Sequence, residues 1–328
     1  MKKIMPLLFV SLIALSSCGS VEKRYDTKEY ILESDYKSDF RILQLSDIHM
    51  ANKDNRKKQY DFLRLIVEDA HPDMIVITGD CFTFGNKTVV KEFVNFFDGF
   101  NVPWTLTFGN HDEQCYFSID WLTGYLNNAG EHLLFIDHQD DDVMGNANFA
   151  INLMNGSSIQ EQIIIVDSNR YNFGEYTGYD YIHQNQIDWY ERVVTYTKEE
   201  NGGTVVPSLM FFHIPLPEFT TAYDEAVERG EIVPEITGDR REDECAPKTN
   251  SGLFDKVLAL GSTNGIFVGH DHVNNYHVTY KGVVLSYGVT STDRIYSDSD
   301  RLGGQVITLH DDHSFDIDYV YHTYEEVK

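Results

Sequence analysis

Residues 74–80 of this chain read MIVITGD, and residues 104–112 read WTLTFGNHD. Each stretch is a short apolar run that stops at a glycine, which is typical of a buried strand followed by a sharp turn. Between them, residues 89–97 carry apolar side chains at helical spacing. The order strand, helix, strand predicts a βαβ unit, in which parallel strands end at the same edge of a sheet.

The same alternation continues on both sides of this unit. Upstream, residues 40–45 predict a strand that stops at Ser46-Asp47, and residues 60–70 predict a helix. Downstream, strands alternate with helices in the order 163–166, 184–196, 209–212, 253–260 and 265–268. Strand and helix therefore alternate through most of the chain, which favours an α/β fold.

The C-terminal part of the chain has a different character. Four segments there alternate in hydrophobicity or are rich in β-branched and aromatic residues, namely 276–280, 283–289, 304–309 and 315–321. We expect them to be antiparallel strands that complete a second sheet. Residues 218–251 are the least regular stretch, and we interpret them as an inserted surface loop that could overhang the functional site.

The N-terminus has the features of an export signal. A basic start, Lys2 and Lys3, precedes a short apolar stretch, so residues 1–17 predict a signal peptide. We assign residues 18–38 to a tether and residues 39–328 to one domain. The chain has 328 residues, of which 42 % are hydrophobic, enough for a substantial buried core. No apolar run reaches about 18 residues, so we expect no conventional transmembrane span.

Residues 15–18 read LSSC, which resembles the bacterial lipobox. Cleavage at a lipobox leaves a lipidated N-terminal cysteine, here Cys18. The resemblance implies an exported lipoprotein in the cell envelope, attached to the membrane through this lipid only. An ordinary signal peptide with an incidental cysteine is the alternative.

Charge and cysteine usage exclude some classes of function. The formal net charge of −26 repels polyanions, so we expect no nucleic-acid partner. Beyond Cys18 the chain has Cys81, Cys115 and Cys245 and no CxxC motif, which argues against a cysteine-bound zinc ion. A disulfide between Cys81 and Cys115 and a pair of buried free thiols are both compatible with the sequence.

Residue types that bind metals follow five of the predicted strands. They occur in the order Asp47-Ile48-His49, Gly79-Asp80, Gly109-Asn110-His111-Asp112, His213 and Gly269-His270-Asp271-His272. Each motif alone is common in turns, helix caps or cores. Together they place carboxylates, imidazoles and an amide at the carboxyl edge of a sheet, where α/β proteins bind their ligands. These groups suit Zn, Fe and Mn, and the glycines let the backbone approach a cluster closely.

The motif order D-x-H, G-D, G-N-H-D, H and G-H-x-H resembles that of the calcineurin-like metallophosphoesterase superfamily, over residues 38–296. The resemblance implies an α/β (α+β) fold, a four-layer sandwich of two mixed β-sheets flanked by helices. It also implies a dinuclear metal centre at the strand ends, with two divalent or trivalent ions that would be Fe, Mn or Zn. The expected partner is a small phosphorylated substrate.

Position within the motifs assigns a role to each residue of this centre. The resemblance implies seven metal ligands: Asp47, His49 and His272 for the first ion, Asp80 as a bridge, and Asn110, His213 and His270 for the second. His111 would bind no metal and would act as general acid toward the leaving group, after a metal-bridging hydroxide attacks phosphorus. Asp112 would either orient a neighbouring group or ligand, or cap a helix.

A narrower resemblance is to the purple-acid-phosphatase-related branch of plants and fungi. It rests on FFHIPLPEF at 211–219, NSGLF at 250–254 and GIFVGHDHVN at 265–274. True purple acid phosphatases supply a tyrosinate ligand to iron from the motif G-D-x-x-Y. Here Thr83 occupies that position, so we expect no tyrosinate-to-iron charge transfer, and the identity of the metals stays open.

The resemblance implies hydrolysis of phosphate monoesters. A phosphodiesterase acting on cyclic nucleotides or headgroups would use the same ligands, and an inactive, metal-stabilised binding protein of the envelope is a third alternative. Arg170, Tyr287 and Arg294 are candidate substrate contacts, because arginine clamps phosphate and tyrosine stacks on organic groups. A surface salt bridge or a core tyrosine would explain each of them equally well.

Overall fold

The structure is a computed structural model that describes residues 26–52, 55–137, 142–172, 178–230 and 236–327. At its centre two mixed β-sheets share one hydrophobic core. The predicted signal peptide and Cys18 lie outside the described residues. Within the described part, none of the helices has the length and apolar character needed to span a membrane.

The first sheet contains the two stretches quoted at the outset. Its strands are β2 (Phe40–Leu45), β3 (Met74–Thr78), β4 (Trp104–Thr107), β14 (Gly303–Leu309) and β15 (Phe315–Tyr321). They lie in the order β15-β14-β2-β3-β4, with β2, β3 and β4 parallel and β14 antiparallel to β2. β3 is buried along its whole length, because a parallel strand inside a sheet has both faces covered.

The second sheet is larger and also mixed. Its strands are β1 (Ile31–Asp35), β5 (Phe149–Asn155), β6 (Ser158–Ile165), β9 (Ser208–Phe211), β10 (Ile236–Thr237), β11 (Thr263–Val268), β12 (His277–Tyr280) and β13 (Val283–Tyr287). They lie in the order β1-β5-β6-β9-β11-β13-β12-β10, and β6, β9, β11 and β13 are parallel neighbours. A separate short hairpin consists of β7 (Tyr171–Asn172) and β8 (Gly178–Tyr179).

Helices cover the outer face of each sheet. They are α1 (Arg56–Ala70), α2 (Lys87–Asp98), α3 (Ile119–Leu126), α4 (Gln184–Glu200), α5 (Glu218–Glu228) and α6 (Leu253–Leu260). Phe62 of α1 and Phe93 of α2 belong to the core that contains the first sheet. Trp189 of α4 and Phe254 of α6 pack in a second core, on the other face of the second sheet. The predicted sandwich of two mixed sheets flanked by helices is confirmed.

Two predicted irregular regions contain regular structure. The predicted tether, residues 18–38, is too long, because β1 lies within it and pairs in parallel with β5 as part of the second sheet. Residues 218–251 are not one irregular loop, because they begin with α5, whose buried side chains include Phe219 and Ala222. This short amphipathic helix was not predicted from the sequence, because the charged residues and glycines that follow it made the whole stretch look irregular.

The C-terminal strands do not complete a single sheet. β12 and β13 join the second sheet beside β11, whereas β14 and β15 join the first sheet beside β2. The alternating pattern correctly identified four strands. It did not identify their neighbours, because alternation specifies which face of a strand is buried and not which strand lies beside it.

Candidate metal centre

The predicted metal ligands meet where the ends of the two sheets come together. Asp47, Asp80 and Asn110 follow β2, β3 and β4 of the first sheet, whereas His213 and His270 follow β9 and β11 of the second. Contacts between the sheets hold this junction, since His213 Nδ1 lies 2.8 Å from the carbonyl oxygen at position 78. The expectation that one sheet edge carries all the ligands is therefore wrong, because both sheets contribute.

Four side chains form the first group of the cluster. Asp47, His49, Asp80 and His272 each offer a ligand atom, and these atoms all lie within 4.8 Å of one another. His272 Nε2 is 3.3 Å from Asp47 Oδ1, and His49 Nε2 is 3.5 Å from Asp80 Oδ2. Two carboxylates and two imidazoles at these distances could hold a divalent transition-metal ion.

A second group of candidate ligands shares Asp80 with the first. His213 Nε2 is 3.3 Å from Asp80 Oδ2 and 3.2 Å from Asn110 Oδ1. His270 Nδ1 approaches the same His213 nitrogen at 3.3 Å. Asp80 Oδ2 is thus common to both groups, and this is the position that a bridging ligand requires.

The buried polar atoms of the cluster fit a metal ion. Asp47 Oδ1 and His49 Nε2 are buried and have no hydrogen-bond partner among the described residues, a costly arrangement that a bound cation would relieve. Four of the predicted ligands also have positive φ angles: Asp47 at 53°, His49 at 48°, Asp80 at 49° and His270 at 77°. Such backbone strain is uncommon for residues with a side chain and clusters at functional sites.

Two glycines let the motif backbones approach the carboxylates. A Cβ at Gly269 would lie 1.9 Å from Ser46 Oγ and 2.8 Å from Asp47 Oδ2. A Cβ at Gly109 would lie 2.3 Å from Asp80 Oδ1. The structure therefore confirms the prediction that glycine before the motifs permits a close approach.

The charges of the cluster shift the pKa values of its residues strongly. Burial raises the pKa of Asp80, but His213 outweighs it and holds that pKa well below its usual range. Burial lowers the pKa of His49 to about 4 and, together with His213, that of His270 to about 3. For His213, burial is outweighed by Asp80 and Asp47, which raise its pKa to about 10. Asp80, His49 and His270 thus favour the unprotonated forms that bind metals.

Three imidazoles are oriented by partners outside the cluster. Their Nδ1 atoms lie 2.6 Å from Thr83 Oγ1 for His49, 2.8 Å from the Thr78 carbonyl for His213 and 3.0 Å from the Tyr296 carbonyl for His272. Occupied Nδ1 atoms leave Nε2 free to bind a metal. Thr83, which stands where purple acid phosphatases have their tyrosine ligand, therefore orients a ligand.

His111 stands at the edge of the cluster and is only partly buried. Its backbone N–H donates to Asp80 Oδ1 at 2.7 Å, and its Nδ1 lies 2.8 Å from Gln114 Oε1. Its ring centroid is 5.2 Å from that of His49. Because Gln114 occupies Nδ1, Nε2 is the atom that would face a bound molecule, as a proton donor requires.

Asp112 joins the loops that follow β3 and β4. It is fully buried and accepts hydrogen bonds from the backbone N–H groups of Phe82 and Gly109, both at 2.8 Å. Burial and the nearby Asp80 raise the pKa of Asp112 to about 8. Of the two roles that the sequence left open, these contacts favour orientation of the ligand loops.

The three candidate substrate contacts differ in position. Tyr287 is fully buried and donates to Asp271 Oδ2 at 2.6 Å. The core-tyrosine alternative therefore describes it. Arg170 is half exposed and forms an ion pair with Glu113, close to the cluster. Arg294 lies 3.6 Å from the carboxylate of the adjacent residue 293. The salt-bridge alternative therefore describes both arginines.

Cysteine chemistry plays no part in the cluster. Cys81, Cys115 and Cys245, the cysteines of the described residues, are all free thiols. Of the two arrangements that the sequence left open for Cys81 and Cys115, the structure has the unpaired one. Burial raises the pKa of Cys115 to about 12, which makes its thiol unreactive near neutral pH.

Two tyrosines of the β7–β8 hairpin border the second group, and the sequence did not indicate either as a site residue. Asn110 Nδ2 donates to Tyr171 Oη at 2.9 Å. The ring of Tyr179 lies edge-on to His270, with centroids 4.3 Å apart, and stacks on Tyr171 at 5.6 Å. No local pattern marks these tyrosines, because their partners are distant in sequence.

Known proteins resemble the chain over most of its length. Residues 40–274 match the family described as calcineurin-like phosphoesterase. Probable inactive purple acid phosphatase 29 of Arabidopsis thaliana is 30 % identical over 284 residues, a match that covers 76 % of this chain and 71 % of that protein. Phosphatase DCR2 of Saccharomyces cerevisiae is 26 % identical over 278 residues, covering 76 % of this chain and 47 % of that protein.

Solved structures share the architecture. A dimetal phosphatase from Danio rerio superposes with a TM-score of 0.51 at 14 % sequence identity, covering 84 % of this chain and 94 % of that chain. At 14 % sequence identity, this similarity shows only that the two proteins share a fold. The family match, in contrast, extends through every metal-binding motif, from Asp47 to His272. The chain therefore belongs to the calcineurin-like phosphoesterase family.

Proposed function

We propose that this chain is a metal-dependent phosphatase that hydrolyses phosphate monoesters with two metal ions, one on each side of Asp80. The observation that carries the proposal is the shared atom Asp80 Oδ2, which lies 3.5 Å from His49 Nε2 and 3.3 Å from His213 Nε2. The remaining ligands would be Asp47 and His272 for the first ion, and Asn110 and His270 for the second.

Bound cations would supply Lewis acidity toward the phosphoryl oxygens and activate water for attack. The residues of the chain perform the remaining tasks. Asp80 accepts the backbone N–H of His111 and so fixes this histidine beside the cluster. Gln114 holds His111 Nδ1, which directs Nε2 toward the leaving group. In its doubly protonated form, His111 would donate the Nε2 proton to the departing alkoxide and keep the Nδ1 proton that Gln114 Oε1 accepts.

Ester preference is tested with paired chromogenic substrates. The protein is stripped of metal with EDTA, reloaded with Mn²⁺, Zn²⁺ or Fe²⁺, and assayed with 4-nitrophenyl phosphate and bis(4-nitrophenyl) phosphate. We expect the monoester to have the higher kcat/KM with at least one metal. A diester preference with every active metal would instead favour a phosphodiesterase, which needs the same ligands.

An inactive metal-stabilised binding protein is the second candidate, because relatives in Arabidopsis are named as probable inactive purple acid phosphatases. That description applies to those proteins. In this chain, residue types that can bind a metal occupy all seven ligand positions, and a histidine is present as proton donor. His111→Ala distinguishes the two: an enzyme should lose turnover about 10²- to 10⁴-fold with its metal content unchanged, whereas a binding protein has no turnover to lose.

The N-terminal sequence supports an exported lipoprotein that carries its lipid on Cys18. A lipid anchor would hold the phosphatase at the membrane surface while the acidic domain remains in water. Labelling of cells with an alkyne fatty acid tests this proposal. Wild type should incorporate the label and sediment with membranes, and Cys18→Ala should do neither; label incorporation by Cys18→Ala would argue for another modification site.

A further inference from the structure

Several exposed aromatic residues lie on the segments that adjoin the candidate metal centre. In the described part of the chain the exposed large apolar residues are Phe84, Tyr116, Met144, Val227, Tyr296 and Tyr321. Three of the four aromatic ones, Phe84, Tyr116 and Tyr296, lie on segments that contact the cluster. Single exposed apolar residues are ordinary, but several on segments next to one site indicate a surface that contacts an apolar group of a ligand.

Tyr296 presents an open aromatic face directly beside a ligand. Its ring stacks on that of His272, with centroids 4.3 Å apart and an interplanar angle of 23°. Its carbonyl oxygen accepts from His272 Nδ1 at 3.0 Å, and its hydroxyl lies 3.3 Å from Glu242 Oε1. The side chain is nevertheless 57 % exposed, so its position is fixed while much of its surface remains free for contact.

Phe84 is an exposed residue with a strained backbone. Its side chain is 55 % exposed, and its φ angle is +51°, a region in which bulky residues are outliers. It directly follows Thr83, the residue that orients His49. The backbone N–H of Tyr116 donates to the carbonyl of Gly85 at 2.8 Å, which places the backbone of a second exposed aromatic residue beside this segment. An exposed, strained aromatic residue at this place indicates a functional role.

The arginines on the bordering segments are already neutralised. Arg170 pairs with Glu113, and Arg241 pairs with Asp298. Arg294, two residues before Tyr296, lies 3.6 Å from the carboxylate of residue 293. A second phosphate or a carboxylate on the substrate would therefore meet arginines that are already paired with carboxylates. The net charge of −26 on the chain would also repel such a group.

We propose that the site selects phosphate monoesters of aromatic or apolar alcohols, that Tyr296 and Phe84 bind the organic group, and that a second anionic group on the substrate weakens binding. This inference rests on the proposed phosphatase function. The metal ions would bind the phosphoryl group, and the aromatic border would distinguish one monoester from another.

Phosphonates test this preference, because they bind without being hydrolysed. Metal-loaded protein is titrated calorimetrically with methylphosphonate, phenylphosphonate and 4-carboxyphenylphosphonate. We expect phenylphosphonate to bind roughly five- to tenfold more tightly than methylphosphonate, as an aromatic contact would contribute. The carboxylated compound should bind more weakly than phenylphosphonate. Equal affinities for the phenyl and methyl compounds, or tighter binding of the carboxylated one, would overturn the proposal.

Variants identify the residues responsible. Tyr296→Ala and Phe84→Gly should each lower the phenyl-to-methyl affinity ratio, and Tyr296→Phe should keep it. Val227→Ala, which removes an exposed apolar side chain from α5, is the matched control and should leave the ratio unchanged. Glycine adopts a positive φ without strain, so Phe84→Gly should melt at the same or a higher temperature than wild type. A lower melting temperature would assign Phe84 a structural role instead.

Failure of the proposed function would look different from failure of this inference. If no phosphonate binds and no monoester is turned over, the phosphatase proposal fails and this inference with it. If monoesters are hydrolysed but the phenyl and methyl compounds bind alike, only the inference about the organic group fails.

Discussion

Asn110 is a candidate ligand whose ability to bind a metal depends on the orientation of its amide group. Its amide can present either an oxygen, which binds a metal, or an NH2 group, which cannot. Nδ2 donates to Tyr171 Oη at 2.9 Å, and Oδ1 lies 3.2 Å from His213 Nε2. In this arrangement the amide oxygen faces the cluster, and the NH2 group is held by the tyrosine hydroxyl on the other side.

Replacement of Tyr171 by Phe should therefore weaken the second metal site. We expect its dissociation constant to rise about tenfold, as is usual when a ligand loses its orienting partner. Tyr179→Phe is the control, because Tyr179 contacts His270 through its ring and that ring is retained. Calorimetric titration of the EDTA-treated protein with Mn²⁺ measures both variants. An unchanged affinity in Tyr171→Phe would show that the amide is oriented by other means.

Gly269 should not tolerate even a methyl group. In Gly269→Ala the added Cβ would lie 1.9 Å from Ser46 Oγ and 2.8 Å from Asp47 Oδ2, so the Asp47 loop must move. We expect a loss of about 1–3 kcal/mol in the free energy of unfolding and weaker metal binding. Gly178→Ala is the control, because a Cβ there meets none of the described residues within 4 Å. Chemical denaturation of both variants tests this; equal stabilities would contradict it.

The sequence predicted the ligands but not the residues that orient them. Aspartate, asparagine and histidine after apolar strands identify a metal site from residue type and order alone. Tyr171 acts on a residue 61 positions away in the chain, and tyrosine has many roles in proteins. Such a contact becomes visible only when the hairpin is placed beside the loop after β4.

Among the elements, β6 carries an unusual buried acid. Glu161 is 2 % exposed, and burial raises its pKa from 4.5 to about 8. Between these values the folded chain holds a proton that the unfolded chain has released. The free energy of unfolding should therefore decrease as the pH rises from about 4.5 to about 8.

Glu161→Gln should remove this contribution to the pH dependence. Relative to wild type, the free energy of unfolding of the variant should increase little at pH 5 and more at pH 8. The increase should be on the order of a few kcal/mol at most. Exposed Glu33 on β1 supplies the control variant Glu33→Gln. Thermal unfolding of all three proteins across this pH range measures the effect. A stability difference between Glu161→Gln and wild type that stays constant with pH would show that Glu161 is ionised in the folded chain.

The boundaries of an element were predictable where burial alone determined its residue types. The apolar run of β3 matches the structure residue for residue, because a strand buried on both faces needs no polar position. β14 and β15 were recognised as strands but assigned to the wrong sheet, because pairing with β2 depends on the path of the whole chain. β1 was missed, because its intermediate and exposed positions give a weak pattern.

For the molecule as a whole, the candidate centre connects two sheets that also meet through apolar packing and through buried hydrogen bonds such as those of Gln44 and Gln305. Asp47, Asp80 and Asn110 belong to the first sheet, and His213 and His270 to the second. A bound metal would therefore bind both halves of the sandwich at once. Because such a site exists only in the folded chain, metal binding should stabilise the entire fold.

Thermal unfolding in the presence of metal tests this connection. Mn²⁺ or Zn²⁺ at about a hundredfold excess over its dissociation constant should add about 2.7 kcal/mol, which for a domain of this size raises the melting temperature by about 4–5 °C over the EDTA-treated protein. The double variant His213→Ala/His270→Ala removes two of the three candidate ligands that follow strands of the second sheet, leaves His272 in place and should lose a large part of this increase. His313→Ala, which changes an exposed histidine on the β14–β15 turn, should retain it. A full increase in the double variant would mean that the first group, Asp47, His49, Asp80 and His272, accounts for the whole stabilisation and that the second group contributes nothing to it.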